Sequence, residues 1–445
     1  MLDSAPSPGF ESHMRILLKE WARALWAGMW FVPGCLTAGA IVLAVVLSGI
    51  FTATPFHLSA SRQFDPDAAR GVLTALAGAS ISVAAIVLSM TMVVLSATSS
   101  QFGPRLLPNF IGRTGPKLAI GGFTGAFAYQ AVVASALGLR REVPDLAVWI
   151  GIVGSLASFA ILIFFIHMVA QSIQAPFVID SAARSLDRAL ADFTGLDVKR
   201  RNPENKTIDP TWRETGVLES RSTGYIHEID MRALAAGAKR QGGCVHCVVR
   251  PGNFVAEGDR LAALFAPEGC EWDTGPLAEC FVFGANHSPV QDPEFAIRQL
   301  VEIAVRALSP GINDPYTAIN ALERVGGCLR TVIGGTLPRG LWHDDDGTLR
   351  LHIPLPDALG LFDSAYLPLR QHARASEMVA IALMDSYLAS ARRKPHPDFA
   401  SAIRHHAELL WRDCESTIAS DRDLADLRDR HRQVMDALGD VGRTG

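Results

Sequence analysis

Four stretches of the 445-residue chain contain no Asp, Glu, Lys or Arg: residues 26–51, 71–97, 118–139 and 146–173. Each is long enough to cross a hydrocarbon core of ~30 Å, for which roughly 20 helical residues suffice. None alternates apolar and polar residues as a strand of a closed barrel does, so their backbone amides can be satisfied in lipid only as helices. The same lack removes one function class. A proton-driven transporter needs carboxylates at membrane depth, and these spans carry none. Composition as a whole is less selective, because 49% hydrophobic residues and a net charge of -4 also suit a soluble protein.

Signatures of catalysis are also missing. There is no G-x-x-x-x-G-K-[ST] phosphate loop, no H-E-x-x-H, no G-x-S-x-G and no dinucleotide fingerprint. Neither an enzyme nor a cofactor is therefore expected, and nothing points to nucleic acid as a partner. His227, Glu228 and Asp230 are grouped, but on a strand or turn such a cluster is usually a surface feature. The seven cysteines imply reduced thiols rather than a disulfide framework. Cys244, His246 and Cys247 crowd into C-V-H-C, yet no second ligand pair has zinc spacing, and on a strand Cys247 faces away from the other two. Ordinary buried thiols, not a metal site, are expected there.

Positive charge orients the spans. Arg15, Lys19 and Arg23 precede the first, Arg105, Arg113 and Lys117 lie between the second and third, and Lys199, Arg200 and Arg201 follow the fourth. Those sides, and both termini, are expected in the cytoplasm of a bacterial inner membrane. The first apolar run is too long for a signal peptide and lacks a small-residue cleavage site. The expected fold is a four-helix transmembrane domain (1–175), a cytoplasmic helix and linker (176–214), a barrel-sandwich-like β-module (215–290) and a mostly helical domain (291–445), the last two forming a cytoplasmic α+β part.

The β-module is expected from V-V-R-P-G-N-F-V-A-E-G-D-R-L-A-A-L, which resembles the barrel-sandwich modules of biotinyl and lipoyl carriers, where paired glycines turn hairpins. Carrier function does not follow: the nearby Lys239 ends an Ala-rich, helical stretch rather than a hairpin. Beyond it, Gln291-Asp-Pro-Glu and Asn313-Asp-Pro-Tyr each place Asp and then Pro before an apolar-periodic run, predicting helices over 293–308 and 315–331. Arg298, Glu302 and Arg306 recur every four residues along the first of these. With Asn313 and Asp314 they form either helix caps and surface pairs, the favoured reading, or a polar site at a helix N-terminus. A hairpin around Asp344-Asp-Asp-Gly with a strand over 349–353 follows, then helices over 371–393, 397–416 and 421–438.

In the membrane part, Ser82, Ser89 and Ser96 recur every seven residues, forming one polar stripe that drifts only ~20° per step. Ser80 and Thr91 add a second, and the third span carries Gly121-x-x-x-Gly125 with Tyr129 and Gln130. Such residues commonly pack helices together. A stripe without charge can also line a pore, but only in an oligomer, since four helices enclose little space.

Q-D-P-E-F-A-I-R-Q-L-V-E-I-A-V-R-A-L-S-P-G-I-N-D-P-Y-T-A-I-N (291–320) and S-S-Q-F-G-P-R-L-L-P-N-F (99–110) resemble the bacterial predicted-membrane-protein family called domain of unknown function 2254. The resemblance implies an inner-membrane protein and supplies no activity, ligand or catalytic residue. The expected function is an oligomeric channel gated by its cytoplasmic domain. A membrane-anchored scaffold is the alternative, and a membrane-bound enzyme ranks behind both. Lipid and further copies of the chain are the expected partners.

Overall fold

The computed structural model describes residues 28–48, 64–103, 114–140, 145–172, 174–196, 208–374 and 376–439. Arg15, Lys19, Arg23, Arg105, Arg113, Lys199, Arg200 and Arg201, on which the orientation rests, lie outside the described residues, as does most of the linker. What is described falls into two compact units, one running to Val178 and the other starting at Ile179.

The first unit holds α1 (Phe31–Ser48), α2 (Pro66–Phe102), α3 (Thr114–Arg140) and α4 (Asp145–Ser172). All four are long and apolar enough to cross a membrane. The 37 residues of α2 make a rod of about 55 Å at 1.5 Å per residue, so it outreaches the hydrocarbon core. It begins ahead of its apolar run because Asp65 accepts the Ala68 N–H at 3.0 Å and Pro66 fills the first turn. Central to the unit is α3, half buried against the other three helices. Its Gly121 lets α1 approach closely: a Cβ there would lie 2.7 Å from Leu36 Cδ1 and 2.9 Å from the Pro33 Cα.

The helix expected at the start of 176–214 is α5 (Ala175–Gly195), an element separate from α4. Its stripe of Ile179, Ala182, Leu186, Leu190 and Phe193 is buried, and Asp180 stands 3.6 Å from Arg324 further along the second unit.

Then come β1 (Arg213–Glu219), β2 (Gly224–Ile229), α6 (Met231–Arg240), β3 (Cys244–Cys247), β4 (Phe254–Val255), β5 (Arg260–Ala266), α7 (Gly275–Ala278) and β6 (Phe281–Gly284). They are followed by α8 (Pro293–Ala307), α9 (Pro315–Leu329), β7 (Leu341–His343) and β8 (Leu349–His352). Four helices complete the chain: α10 (Ala358–Ala373), α11 (Glu377–Ala391), α12 (Pro397–Glu415) and α13 (Asp421–Leu438).

The strands make two sheets, ordered β1-β5-β3-β8-β7 and β4-β2-β6, and neither closes on itself. The β-rich module expected over 215–290 is thus a pair of open sheets, without the barrel-sandwich form that the glycine pattern resembles being established. The turns themselves form, with Gly252 and Gly258 at φ of 90° and 87°. Closure is lost because the edge of β3 is taken by β8, pairing in parallel from far along the chain, while α6 covers the inner face. Leu234 and Ala238 of that helix share a core with Val245, Cys247, Leu264 and Leu351.

The helix expected over 371–393 is two elements. α10 starts at an Asp357 cap, whose carboxylate accepts the Gly360 N–H at 2.7 Å, and runs through Pro368. α11 starts afresh after Ser376. An interior proline is a poor helix residue by itself, so packing against α8 and α12 is what carries α10 through it.

Candidate functional site

Between the membrane helices the polar side chains serve one another. Ser80 of α2 donates to Gln130 Oε1 of α3 at 3.3 Å, while Gln130 Nε2 donates to the Gly151 carbonyl at 3.0 Å and to the Ser155 hydroxyl, both on α4. Tyr129 donates to the Ala147 carbonyl at 2.9 Å. Gln130 is fully buried, and its bonds hold three helices in one register. Of the two stripes on α2, Ser80 and Thr91 face inward. Ser82, Ser89 and Ser96 are all exposed, as are Ala75, Gly78 and Ala85 beside them. Ser82 donates back to the Gly78 carbonyl at 2.8 Å.

In the second unit the two Asp-Pro motifs are built alike and buried differently. Gln291 and Asn313 both take a left-handed φ, 56° and 49°, turning the chain into the helix that follows. Asp292 then accepts the Phe295 N–H at 2.9 Å, and Asp314 accepts the Thr317 N–H at 3.1 Å and its hydroxyl at 2.6 Å. The Thr317 hydroxyl and N–H hold Asp314 below the ordinary carboxylate range. Burial pushes Asp292 above it, against the pull of the Phe295 N–H and of Arg298 and Arg250.

Around Asp292 a charge cluster closes, with its carboxylates buried and its arginines partly exposed. Arg298 reaches its Oδ2 at 3.4 Å, and Arg250, from the turn after β3, reaches Glu294 Oε2 at 2.6 Å. The carboxylates of Asp292 and Glu294 are only 4% and 9% exposed. A Cβ on Gly252 would lie 2.1 Å from Asp292 Oδ2, so this backbone sits directly on the carboxylate. Of the four-residue series on α8, Arg298 thus turns to Asp292, while Arg306 pairs with Glu302 at 3.3 Å. Arg250, Gly252 and Glu294 were not among the residues singled out from sequence, although the Asp-Pro-Glu signature contains Glu294.

The C-V-H-C segment is strand β3. Burial pushes the Cys244 thiol up to about 12 and raises Cys247 as well, so neither is a ready thiolate. Cys247 belongs to the apolar core. Among the described residues no three His, Cys, Asp or Glu converge as a metal site. In the other polar group, His227 Nε2 lies 2.5 Å from the Asn286 carbonyl, and Asp230 accepts the Ala233 N–H at 2.9 Å as the cap of α6.

A family profile described as "Predicted membrane protein (DUF2254)" matches residues 26–389. The chain belongs to the DUF2254 family. The DUF2254 match takes in all four membrane helices, both sheets and the charge cluster at the start of α8; α12 and α13 lie beyond it. Uncharacterised proteins of Mycobacterium tuberculosis and Mycobacterium bovis are 28% identical over 380 residues, which is 83% of this chain and 71% of theirs. No solved structure matches this DUF2254 chain.

Proposed function

We propose that this chain is a homo-oligomeric passive channel of the bacterial inner membrane, gated by the unit that follows its four helices, with both termini in the cytoplasm. The outward placement of Ser82, Ser89 and Ser96 carries the reading. Hydroxyls gain little from facing hydrocarbon, whereas the face of a neighbouring copy or a water-filled path between copies gives them partners. Ala75, Gly78 and Ala85 keep the part of that face around Ser82 slim enough for close approach, while Ile86, Met92 and Val93 stand exposed around Ser89. The interior hydroxyls of Ser80 and Tyr129 are bonded across helices, whereas Ser82 bonds back along its own helix to the Gly78 carbonyl. A polar route between copies therefore fits this chain better than one through a single copy.

The second reading is a membrane-anchored scaffold, favoured by the same small residues if they pack dry. A membrane-bound enzyme ranks third, because the buried thiols and capped carboxylates described above are structural. The hairpins at Gly252 and Gly258 fit a barrel-sandwich relative retained as a structural module, since Lys239 lies on α6 and not on a displayed turn. The decisive experiment is conductance of the purified protein in planar bilayers. Current that falls in Ser89→Phe supports the channel. Silence from well-inserted protein, or current indifferent to Ser89→Phe, leaves the scaffold.

A further inference from the structure

His246 on β3 and His352 on β8 are direct neighbours in the parallel pairing of those strands, though 106 residues separate them in sequence. His246 Nε2 lies 3.2 Å from His352 Nδ1, and the rings meet edge to face with centroids 4.5 Å apart. Strand alternation sets both on the sheet face opposite to Val245, Cys247 and Leu351, which are buried in the core. Both rings are half-buried, so one side of each remains open to solvent. On the flanking strands the residue opposite His246 is the small Ala263 of β5 and the one opposite His352 is Leu341 of β7, while the Phe265 ring borders His246 with centroids 6.2 Å apart.

Two ring nitrogens at this separation fit more than a hydrogen bond. Zinc-like ions take imidazole nitrogen at about 2.0–2.1 Å, and at angles of about 100–109° two such nitrogens stand about 3.1–3.4 Å apart. The two rings therefore already hold the separation of adjacent ligands on one ion, with a backbone ladder fixing both. Burial lowers the pKa of each ring below the ordinary imidazole value, and the Arg260 charge lowers that of His246 further. Each ring therefore favours its neutral form more than a free imidazole does, and an arriving metal ion displaces the proton shared by the facing nitrogens as that ring shifts to its other tautomer.

We propose that His246 and His352 form a two-histidine clamp for a late first-row divalent metal ion, with Cu²⁺ bound most tightly, then Ni²⁺ and Zn²⁺. No third His, Cys, Asp or Glu among the described residues joins the pair, so the remaining positions are taken by water. The bound ion ties β3 to β8 and so crosslinks two distant parts of the chain. The site is independent of the transport reading, since it lies wholly in the second unit.

The test uses the full-length protein, purified in detergent, stripped of metal and titrated with CuCl₂ under electron paramagnetic resonance. The expected result is one equivalent of Cu²⁺ with a two-nitrogen signature, lost in His246→Asn and in His352→Asn alike. Melting curves in chelator confirm that the variants fold. The parent protein supplies a second measurement that needs no variant: ZnCl₂ should protect both histidines from diethyl pyrocarbonate, read by peptide mass spectrometry. An unchanged Cu²⁺ signal in folded His352→Asn, or no protection by Zn²⁺ in the parent, overturns the proposal.

Discussion

Gly252 and Gly258 form a natural pair for separating backbone strain from contact. Both lie at nearly the same positive φ, 90° and 87°, so an alanine at either meets the left-handed penalty of about 1–2 kcal/mol. Nothing lies within 4 Å of a Cβ at Gly258, whereas one at Gly252 would be 2.1 Å from Asp292 Oδ2. Gly252→Ala must therefore also displace a buried carboxylate. That forfeits the bond to the Phe295 N–H, about 1 kcal/mol for a helix cap, and strands a desolvated charge. The expected totals are about 1–2 kcal/mol for Gly258→Ala and about 2–4 kcal/mol for Gly252→Ala. At about 2–4 °C per kcal/mol for a unit of this size, Gly252→Ala should lower the melting temperature about twice as far. Differential scanning fluorimetry of the detergent-purified protein measures both shifts, and hydrogen exchange at the Phe295 amide should accelerate in Gly252→Ala alone. Equal shifts, or unchanged exchange at Phe295, would refute the contact argument.

Gln130→Leu removes the bonds to Ser80, Gly151 and Ser155. At about 0.6 kcal/mol or more per interhelical bond, it should destabilise the membrane unit by about 2 kcal/mol, measured by unfolding in mixed micelles. Among the described residues the buried Tyr387 hydroxyl meets no hydrogen-bond partner, while the Tyr366 hydroxyl stands 3.0 Å from Ser386 Oγ. Tyr387→Phe should accordingly be neutral or stabilising and Tyr366→Phe destabilising by about 1 kcal/mol, and matched thermal melts read the difference. Glu294 is pushed above the ordinary carboxylate range by burial, with Asp292 adding to the rise and Arg250 and Arg298 opposing it. A carboxyl whose folded pKa is raised contributes stability that is complete below its unfolded pKa and is lost as pH rises through the folded one. Glu294→Gln, which mimics the protonated form, should therefore gain on the parent as pH rises through that window in melts across pH. A growing deficit would show that the pair with Arg250 outweighs burial.

How far the chain could be read depended on how local each cause was. The spans announce themselves by lacking charge over 20 residues and more, and the caps of α8 and α9 by Asp followed by Pro, so both helices begin at the expected residue. The start of α2 was displaced because Asp67 and Arg70 look like loop but ride in the first turns of a helix capped by Asp65. α10 was invisible because Pro368 lies inside it. The heptad serines were legible as a stripe, but the direction they face was not, since that is set by which side of α2 packs on α3. The partners of Arg250 and His246 lie 44 and 106 residues away. No pattern within a window reveals such pairings, and only the assembled sheet and the helix beside it bring the groups together.

The parallel pairing of β3 with β8 also constrains the order in which the chain can be assembled. A parallel partner cannot arrive through a tight hairpin, and this one emerges only after α8, α9 and β7 have been made. During synthesis β3 accordingly waits with an unpaired edge at Val245 and His246, while its antiparallel neighbour β5 follows after only the short β4. Exposed edges of this kind recruit other chains. A ribosome pausing between β5 and β8 thus prolongs the exposure of that edge, and a fragment ending before Leu349 keeps it unpaired permanently.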